Sequence, residues 1–308
     1  MTVMPHVPES VMVGFLRAAR YKRVWADPAV AAAHLADRTV RPKAYAPPRR
    51  LRTDVALTVE RYRGWPLYTL TPTAAAPRGT VIYAHGGGWV NEIASQHWHL
   101  CARIAAEAQT AVLVPIYPLI PEGTAAEVVD GLTELAASRA RGAGPLVLGG
   151  DSAGGQIALS AAQVLRDRHG LTAVQTILIS PALDPSLANP EIAHVEPTDP
   201  WLNRAGVRVF AEVWRGDLPL ADPRVSPIFG EIGGLGPITL FVGTRDIVFP
   251  DSRRFAGLAR AAGVTIDYHE RAGLIHVYPL LPTAEGSHAR RLIVDRVRAA
   301  VSQPVATA

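Results

Sequence analysis

Apolar positions recur at intervals of three and four through residues 10–38, the period of a helix that buries one face. Asp27-Pro28 interrupts that run and suits the start of a second helix, with Asp27 as its cap and Pro28 at its first position. Residues 41–50 are proline-rich and read as a linker. From Val55 the period shortens to two. Val55, Leu57 and Val59 alternate with polar residues, and residues 66–70 follow a turn at Gly64, so an antiparallel pair is predicted. Beyond it, short runs without polar alternation take turns with helical periods. Strands are predicted at 80–84, 111–114, 146–148, 174–179, 238–242 and 265–269, and helices at 97–108, 125–139, 153–168, 252–262 and 284–301. Strands that are apolar throughout and separated by helices belong to a parallel sheet buried on both faces. Residues 184–230 break the rhythm. They are rich in Pro and Asp, carry Trp201 and Trp214, hold a helical stretch at 204–214, and read as an insertion between two sheet strands.

Composition narrows the class without naming a function. The 308 residues, 48% of them apolar, suffice for one large domain with a small elaboration. Charged residues make up 19%, with no long like-charge block. The net charge of +4 comes from scattered arginines, and no basic stripe interleaved with aromatics appears, so no nucleic-acid partner is expected. The single cysteine, Cys101, excludes an intrachain disulfide and reads as a small buried residue. No apolar run reaches the roughly 18 residues of a membrane span, and the N-terminal residues lack a signal-peptide pattern. The expectation is a soluble protein of a reducing, cytoplasmic compartment.

The most informative stretch is Leu146-Val147-Leu148-Gly149-Gly150-Asp151-Ser152-Ala153-Gly154-Gly155. A predicted strand precedes the serine and an apolar helix follows it, with glycines two residues to either side. That is the context of a nucleophile elbow, where a sharp turn holds the hydroxyl at a helix N-terminus that favours developing negative charge. Ser152 is therefore the candidate nucleophile, and Ala153 directly after it is placed to offer a backbone N–H donor. Asp151 is expected to brace the glycine loop. A second run, His85-Gly86-Gly87-Gly88-Trp89, follows the strand at 80–84. Glycines there let backbone N–H groups approach an oxyanion with no side chain in the way. The run matches neither nucleotide-binding glycine pattern, so no cofactor is expected.

A serine needs a base, and the base an orienting carboxylate. On this strand–turn–helix arrangement the chain order is serine, acid, histidine. His276 lies in Ala272-Gly273-Leu274-Ile275-His276-Val277-Tyr278, between the last predicted strand and the last helix, where it can reach over the sheet's C-terminal edge. His269 falls inside a strand and reads as structural. Asp246, in Gly243-Thr244-Arg245-Asp246 just past the strand at 238–242, is the candidate acid; Asp251 is its rival and precedes a helix it can cap. No metal site is expected.

These residues resemble the hormone-sensitive-lipase-like group of α/β-hydrolase esterases. The likeness rests on His85-Gly86-Gly87-Gly88-Trp89, Gly150-Asp151-Ser152-Ala153-Gly154-Gly155, Gly243 with Asp246, and His276, and extends from about residue 55 to the C-terminus. It implies a mostly parallel eight-stranded sheet with helices on both faces. It implies a helical cap from residues 1–50 and 184–230 over a catalytic core of 51–183 and 231–308. It further implies hydrolysis of esters with short to medium acyl chains, and the N–H groups of Gly87, Gly88 and Ala153 as oxyanion donors. The expected partner is a small-molecule ester, and a homodimer through an edge strand or the last helix is left open. Two motifs depart from the group. Ile116-Tyr117-Pro118-Leu119-Ile120-Pro121-Glu122 stands where Asp-Tyr-Arg-Leu-Ala-Pro-Glu is usual, and Asp246-Ile247-Val248 where Asp-Pro-Leu is usual. Trp25, Trp89, Trp201, Phe210 and Trp214 are candidates either for an acyl pocket or for ordinary core. A non-catalytic receptor on the same scaffold and an amide hydrolase are the competing functions.

Overall fold

A computed structural model describes residues 6–142 and 144–302. The N-terminal period resolves into three helices, α1 (Glu9–Ala18), α2 (Arg23–Ala26) and α3 (Pro28–Val40). Asp27 caps the third, its carboxylate accepting from the N–H groups of Ala29 at 2.8 Å and Val30 at 3.4 Å. Strands β1 (Val55–Tyr62) and β2 (Trp65–Pro72) form an antiparallel hairpin closed by Arg63 and Gly64, both at positive φ.

The alternation that follows is β3 (Thr80–Ala84), α4 (Ser95–Ala108), β4 (Ala111–Pro115), α5 (Ala125–Ala140), β5 (Leu146–Asp151), α6 (Ala153–His169) and β6 (Gln175–Ile179). The insertion carries α7 (Ile192–Val195) and α8 (Arg204–Trp214). Then come β7 (Ile238–Gly243), α9 (Phe249–Ala261), β8 (Ile266–Arg271) and α10 (Ala284–Ser302). The eight strands make one sheet in the order β1-β2-β4-β3-β5-β6-β7-β8, parallel except where β2 meets β1 and β4.

The strands read as continuous apolar runs because both faces are covered. Successive side chains point to opposite faces. Val81, Tyr83, Val112 and Val147 pack under α4 and α10, while Ile82, Ala84, Leu113 and Leu148 pack under α5 and α6. Each Val, Leu or Ile among them contributes about 1.5–3 kcal/mol by burial.

Winding reverses at β3, whose neighbours are β4 and β5, so the loops leaving β3 and β5 lie side by side. A crevice outside the strand ends forms at such a reversal. Ala84 pairs with Gly150, which sets the glycine loop beside Ser152. Helices α2, α3 and α8 pack on one another, with Trp25 edge-on to Phe210 at 5.4 Å. No helix among the described residues is long and apolar enough to cross a membrane.

Candidate active site

Ser152 sits between β5 and α6 at φ 52° and ψ −119°, outside the regions L-residues prefer. The surroundings hold it there. Its N–H donates to the Ile179 carbonyl at 2.8 Å, and its carbonyl accepts from Ala182 at 3.0 Å and Gln156 at 3.1 Å. Helix α6 also comes very close to β3. A Cβ on Gly154 would lie 2.1 Å from the Ala84 carbonyl oxygen, so only glycine fits that crossing.

The loops after β7 and β8 bring the other two candidates to this serine. His276 Nε2 is 2.9 Å from Ser152 Oγ, and His276 Nδ1 is 2.8 Å from Asp246 Oδ2. Asp246 is fully buried and its Oδ1 accepts from the Val248 N–H at 3.2 Å. An ionised carboxylate only accepts, so Nδ1 carries the proton and Nε2 is free to take one from Ser152. Burial disfavours a charged imidazole at His276. The charge and hydrogen bond of Asp246, with Asp199 and Asp151 further off, outweigh it and raise the pKa above the ordinary histidine value. Val277, next in the chain, has φ 48°, and its N–H is held by Ser180 Oγ at 3.0 Å.

The rival acid lies elsewhere. Helix α9 begins at Phe249, three residues before the predicted start, because Pro250 fits a first turn. Asp251 is therefore inside the helix and does not cap it. Its Oδ1 accepts from Asn189 Nδ2 at 2.9 Å. His269, in β8, bonds Asp267 at 2.8 Å and stacks on Phe241 at 4.6 Å.

Asp151 reaches back to the glycine loop. Its Oδ1 accepts from the Gly86 N–H at 3.0 Å and the Tyr83 hydroxyl at 2.8 Å, and its Oδ2 faces His97 Nε2 at 3.1 Å. Burial would raise its pKa; the charge and hydrogen bond of His97, with those two donors, hold it below the ordinary carboxylate value. Gly86 is thus engaged, whereas the N–H groups of Gly87, Gly88 and Ala153 meet no protein acceptor among the described residues. Gly88 has φ 63°, and a Cβ there would meet the Trp25 ring at 2.5 Å.

Residues 81–280 match the family model described as the alpha/beta hydrolase fold. The chain belongs to the α/β-hydrolase family, in its hormone-sensitive-lipase branch. It is 31% identical to the esterase LipI of Mycobacterium tuberculosis over 76% of each chain. It is 30% identical to an acetyl-hydrolase of Streptomyces hygroscopicus over 68% of this chain and 72% of that one. A crystal structure of an esterase from the bacterial hormone-sensitive lipase family superposes with a TM-score of 0.80 at 26% identity, covering 97% of this chain and 100% of that one. The match spans only 42% of a Mycobacterium tuberculosis triacylglycerol lipase and 65% of an Acinetobacter venetianus esterase.

Within the stretch Ile116–Glu122, which lacks the usual Asp and Arg, the tyrosine is kept. Tyr117 donates its hydroxyl to the His85 carbonyl at 2.6 Å and stacks on the His85 ring at 4.5 Å, bracing the start of the glycine loop. Of the aromatic candidates, Trp89, Phe210 and Trp214 are core, at most 1% exposed. Trp25 and Trp201 are half-buried, Trp25 over Gly88 and Trp201 edge-on to His276 at 5.8 Å. Two polar residues that motif reading passes over also meet here. Gln156 Oε1 accepts from the indoles of Trp89 and Trp214, both at 3.0 Å. Asp199, from the insertion, accepts from the Ile247 N–H beside Asp246 at 3.0 Å.

Proposed function

We propose that the protein hydrolyses carboxylic esters of short to medium acyl chain length through an acyl-enzyme on Ser152. The observation that carries this reading is the continuous relay from Ser152 Oγ through His276 to Asp246, at 2.9 and 2.8 Å. Ser152 Oγ attacks the ester carbonyl carbon while His276 Nε2 takes its proton. Asp246 holds the Nδ1–H and stabilises the imidazolium. The carbonyl oxygen becomes an oxyanion, received by the N–H groups of Gly87, Gly88 and Ala153, each such donor being worth about 3–4 kcal/mol in related chemistry. The imidazolium then protonates the leaving alkoxide. Water, deprotonated by the same nitrogen, attacks the acyl-serine, and the proton returns to Ser152 as the carboxylic acid departs.

Family membership and the esterases among its relatives support ester substrates over a non-catalytic receptor role. The half-buried Trp25 and Trp201 are the candidate acyl-contacting groups, and the filled core behind them favours chains that end near the surface. A p-nitrophenyl ester series from C2 to C16 and an anilide comparison test the substrate class. Ser152→Ala is expected to abolish turnover and fluorophosphonate labelling while the fold, read by circular dichroism, is unchanged. Turnover near wild type in that variant would overturn the assignment.

A further inference from the structure

Asp199 is 2% exposed and close to the acid–base pair, yet has no role in the relay. It lies in the insertion, far in sequence from the loops it touches. Its Oδ1 accepts from the N–H groups of Trp201 at 2.8 Å and Leu202 at 2.9 Å. Its Oδ2 accepts from the N–H of Ile247, the residue after Asp246, at 3.0 Å. The backbone of the same turn is tied on two further sides. Lys22 Nζ donates to the carbonyls of Asp199 at 2.7 Å and Glu196 at 2.9 Å. Arg245, the residue before Asp246, donates to the Thr198 carbonyl at 3.1 Å. One turn therefore joins the N-terminal helices, the insertion and the acid loop.

The cap of the turn alone does not require a carboxylate. Two N–H groups on one oxygen are served by Asn or Ser, whereas the Ile247 N–H on Oδ2 uses the second acceptor oxygen, and burying a charge without a cationic partner is expensive. All the donors to Asp199 among the described residues are backbone N–H groups. Lys22 and Arg245 spend their hydrogen bonds on carbonyls, and Arg204 is bound to Glu196. The remaining ionisable neighbours are Asp246, which repels it, and His276, which attracts it once protonated. Burial and Asp246 raise the Asp199 pKa to about 6, so it is charged at neutral pH and above. His276 in turn feels Asp246, Asp199 and Asp151, all favouring the imidazolium.

Resting on the serine-hydrolase reading, we propose that Asp199 is a positioning residue for the acid–base pair. It anchors the Asp246 loop and the Trp201 backbone, and it supplies a second negative charge behind the imidazolium that forms in the transition state.

The test compares Asp199→Asn and Asp199→Ser with wild type; both keep one oxygen for the N–H groups of Trp201 and Leu202 and give up the acceptor facing Ile247 together with the charge. With the charge gone, the imidazolium is less favoured. The acid limb of kcat/KM, where His276 must be neutral, is then expected to move to lower pH by on the order of half a unit to one unit. At pH 8, kcat is expected to fall about tenfold while KM for p-nitrophenyl butyrate stays within about twofold. The His276 imidazole titration, followed by NMR in both variants, is expected to shift the same way and does not depend on turnover. An acid limb and an imidazole titration that stay put in both variants, even with a lower kcat, would reduce Asp199 to architecture and overturn the inference. A wild type that neither turns over esters nor reacts with a fluorophosphonate would overturn the hydrolase reading separately, and the NMR titration would still decide the electrostatic role of Asp199.

Discussion

Gln156→Leu probes whether the cap and the glycine loop are held by one buried polar group. Gln156 is fully buried on α6 and uses both ends of its amide. Oε1 accepts from the Trp89 and Trp214 indoles at 3.0 Å each, and Nε2 donates to the Arg224 carbonyl at 2.7 Å and Ser160 Oγ at 3.0 Å. Leucine keeps most of the volume and removes every one of these bonds. Ser160 Oγ retains its own bond to the Pro223 carbonyl at 2.7 Å. Two indole N–H groups and one backbone carbonyl lose these partners, at about 1–3 kcal/mol each. Allowing for relaxation of the stacked indoles, the total cost is roughly 3–6 kcal/mol. An unfolding entropy of about 2 cal/mol/K per residue converts that into a Tm lower by roughly 5–9 °C for a chain of this length. Trp89 directly follows Gly88, so loosening its indole also misplaces the proposed oxyanion donor, and kcat is expected to fall about tenfold. Scanning calorimetry and p-nitrophenyl butyrate kinetics read both effects. In a Trp214→Phe background, where one indole donor is already gone, the cost of Gln156→Leu is expected to shrink by about 1–2 kcal/mol. A Tm within about 2 °C of wild type, with kcat unchanged, would refute the claim that this amide joins the two regions.

Two further expectations follow from single side chains. Asp251 is almost fully buried, with one oxygen lacking a partner among the described residues. Burial raises its pKa to about 6, Asp184 adding to the effect while the Asn189 bond and Arg254 oppose it. A raised carboxyl favours the folded state below its unfolded value near 4 and loses that contribution as pH rises through 6. Asp251→Asn, neutral throughout, is therefore expected to be more stable than wild type at pH 8 by about 1–2 kcal/mol, with the gap closing at pH 4.5; equal Tm differences at both pH values would contradict this. Gly88→Ala places a methyl group 2.5 Å from the Trp25 ring at a φ of 63°. We expect kcat to fall roughly ten- to hundredfold with the fold intact, and Trp25→Ala to restore part of the loss. Unaltered kcat in Gly88→Ala would remove Gly88 from the oxyanion site.

The parts of the site that were legible in the sequence share one property: their signal is local. A glycine run after an apolar strand, or a serine between a strand and a helix, is a short-range consequence of backbone geometry. Ser152, Asp246 and His276 also follow a chain order, so each could be sought in a known interval. The strand pattern was legible for a similar reason, because burial on both faces removes the polar alternation from β3 to β7. The start of α9 was missed by three residues because Pro250 marks a helix's first turn as readily as a break. Asp251 therefore reads as a cap in the sequence, and the choice between it and Asp246 as the acid rests on position alone.

The contacts that join cap to core are illegible for the opposite reason. Gln156 and Trp214 are 58 residues apart, Asp199 and Ile247 48, and Lys22 and Asp199 177. One signal was nonetheless present. Gln156, Ser160 and Gln163 recur at helical spacing on an otherwise apolar helix, a polar stripe where a buried helix has no need of one. All three donate to backbone carbonyls of the insertion's last turn, at Arg224, Pro223 and Pro227. Such a stripe makes sense only if irregular backbone lies against it, since buried carbonyls without ladder partners must find side-chain donors. The insertion is therefore bound by hydrogen bonds to α6, the helix that follows the proposed nucleophile, and through Asp199 to the loop of Asp246. Substitutions that reshape the cap at these anchors should alter kcat along with substrate preference, whereas substitutions at Trp25, which touches Gly88 only through its ring, should act chiefly on substrate preference.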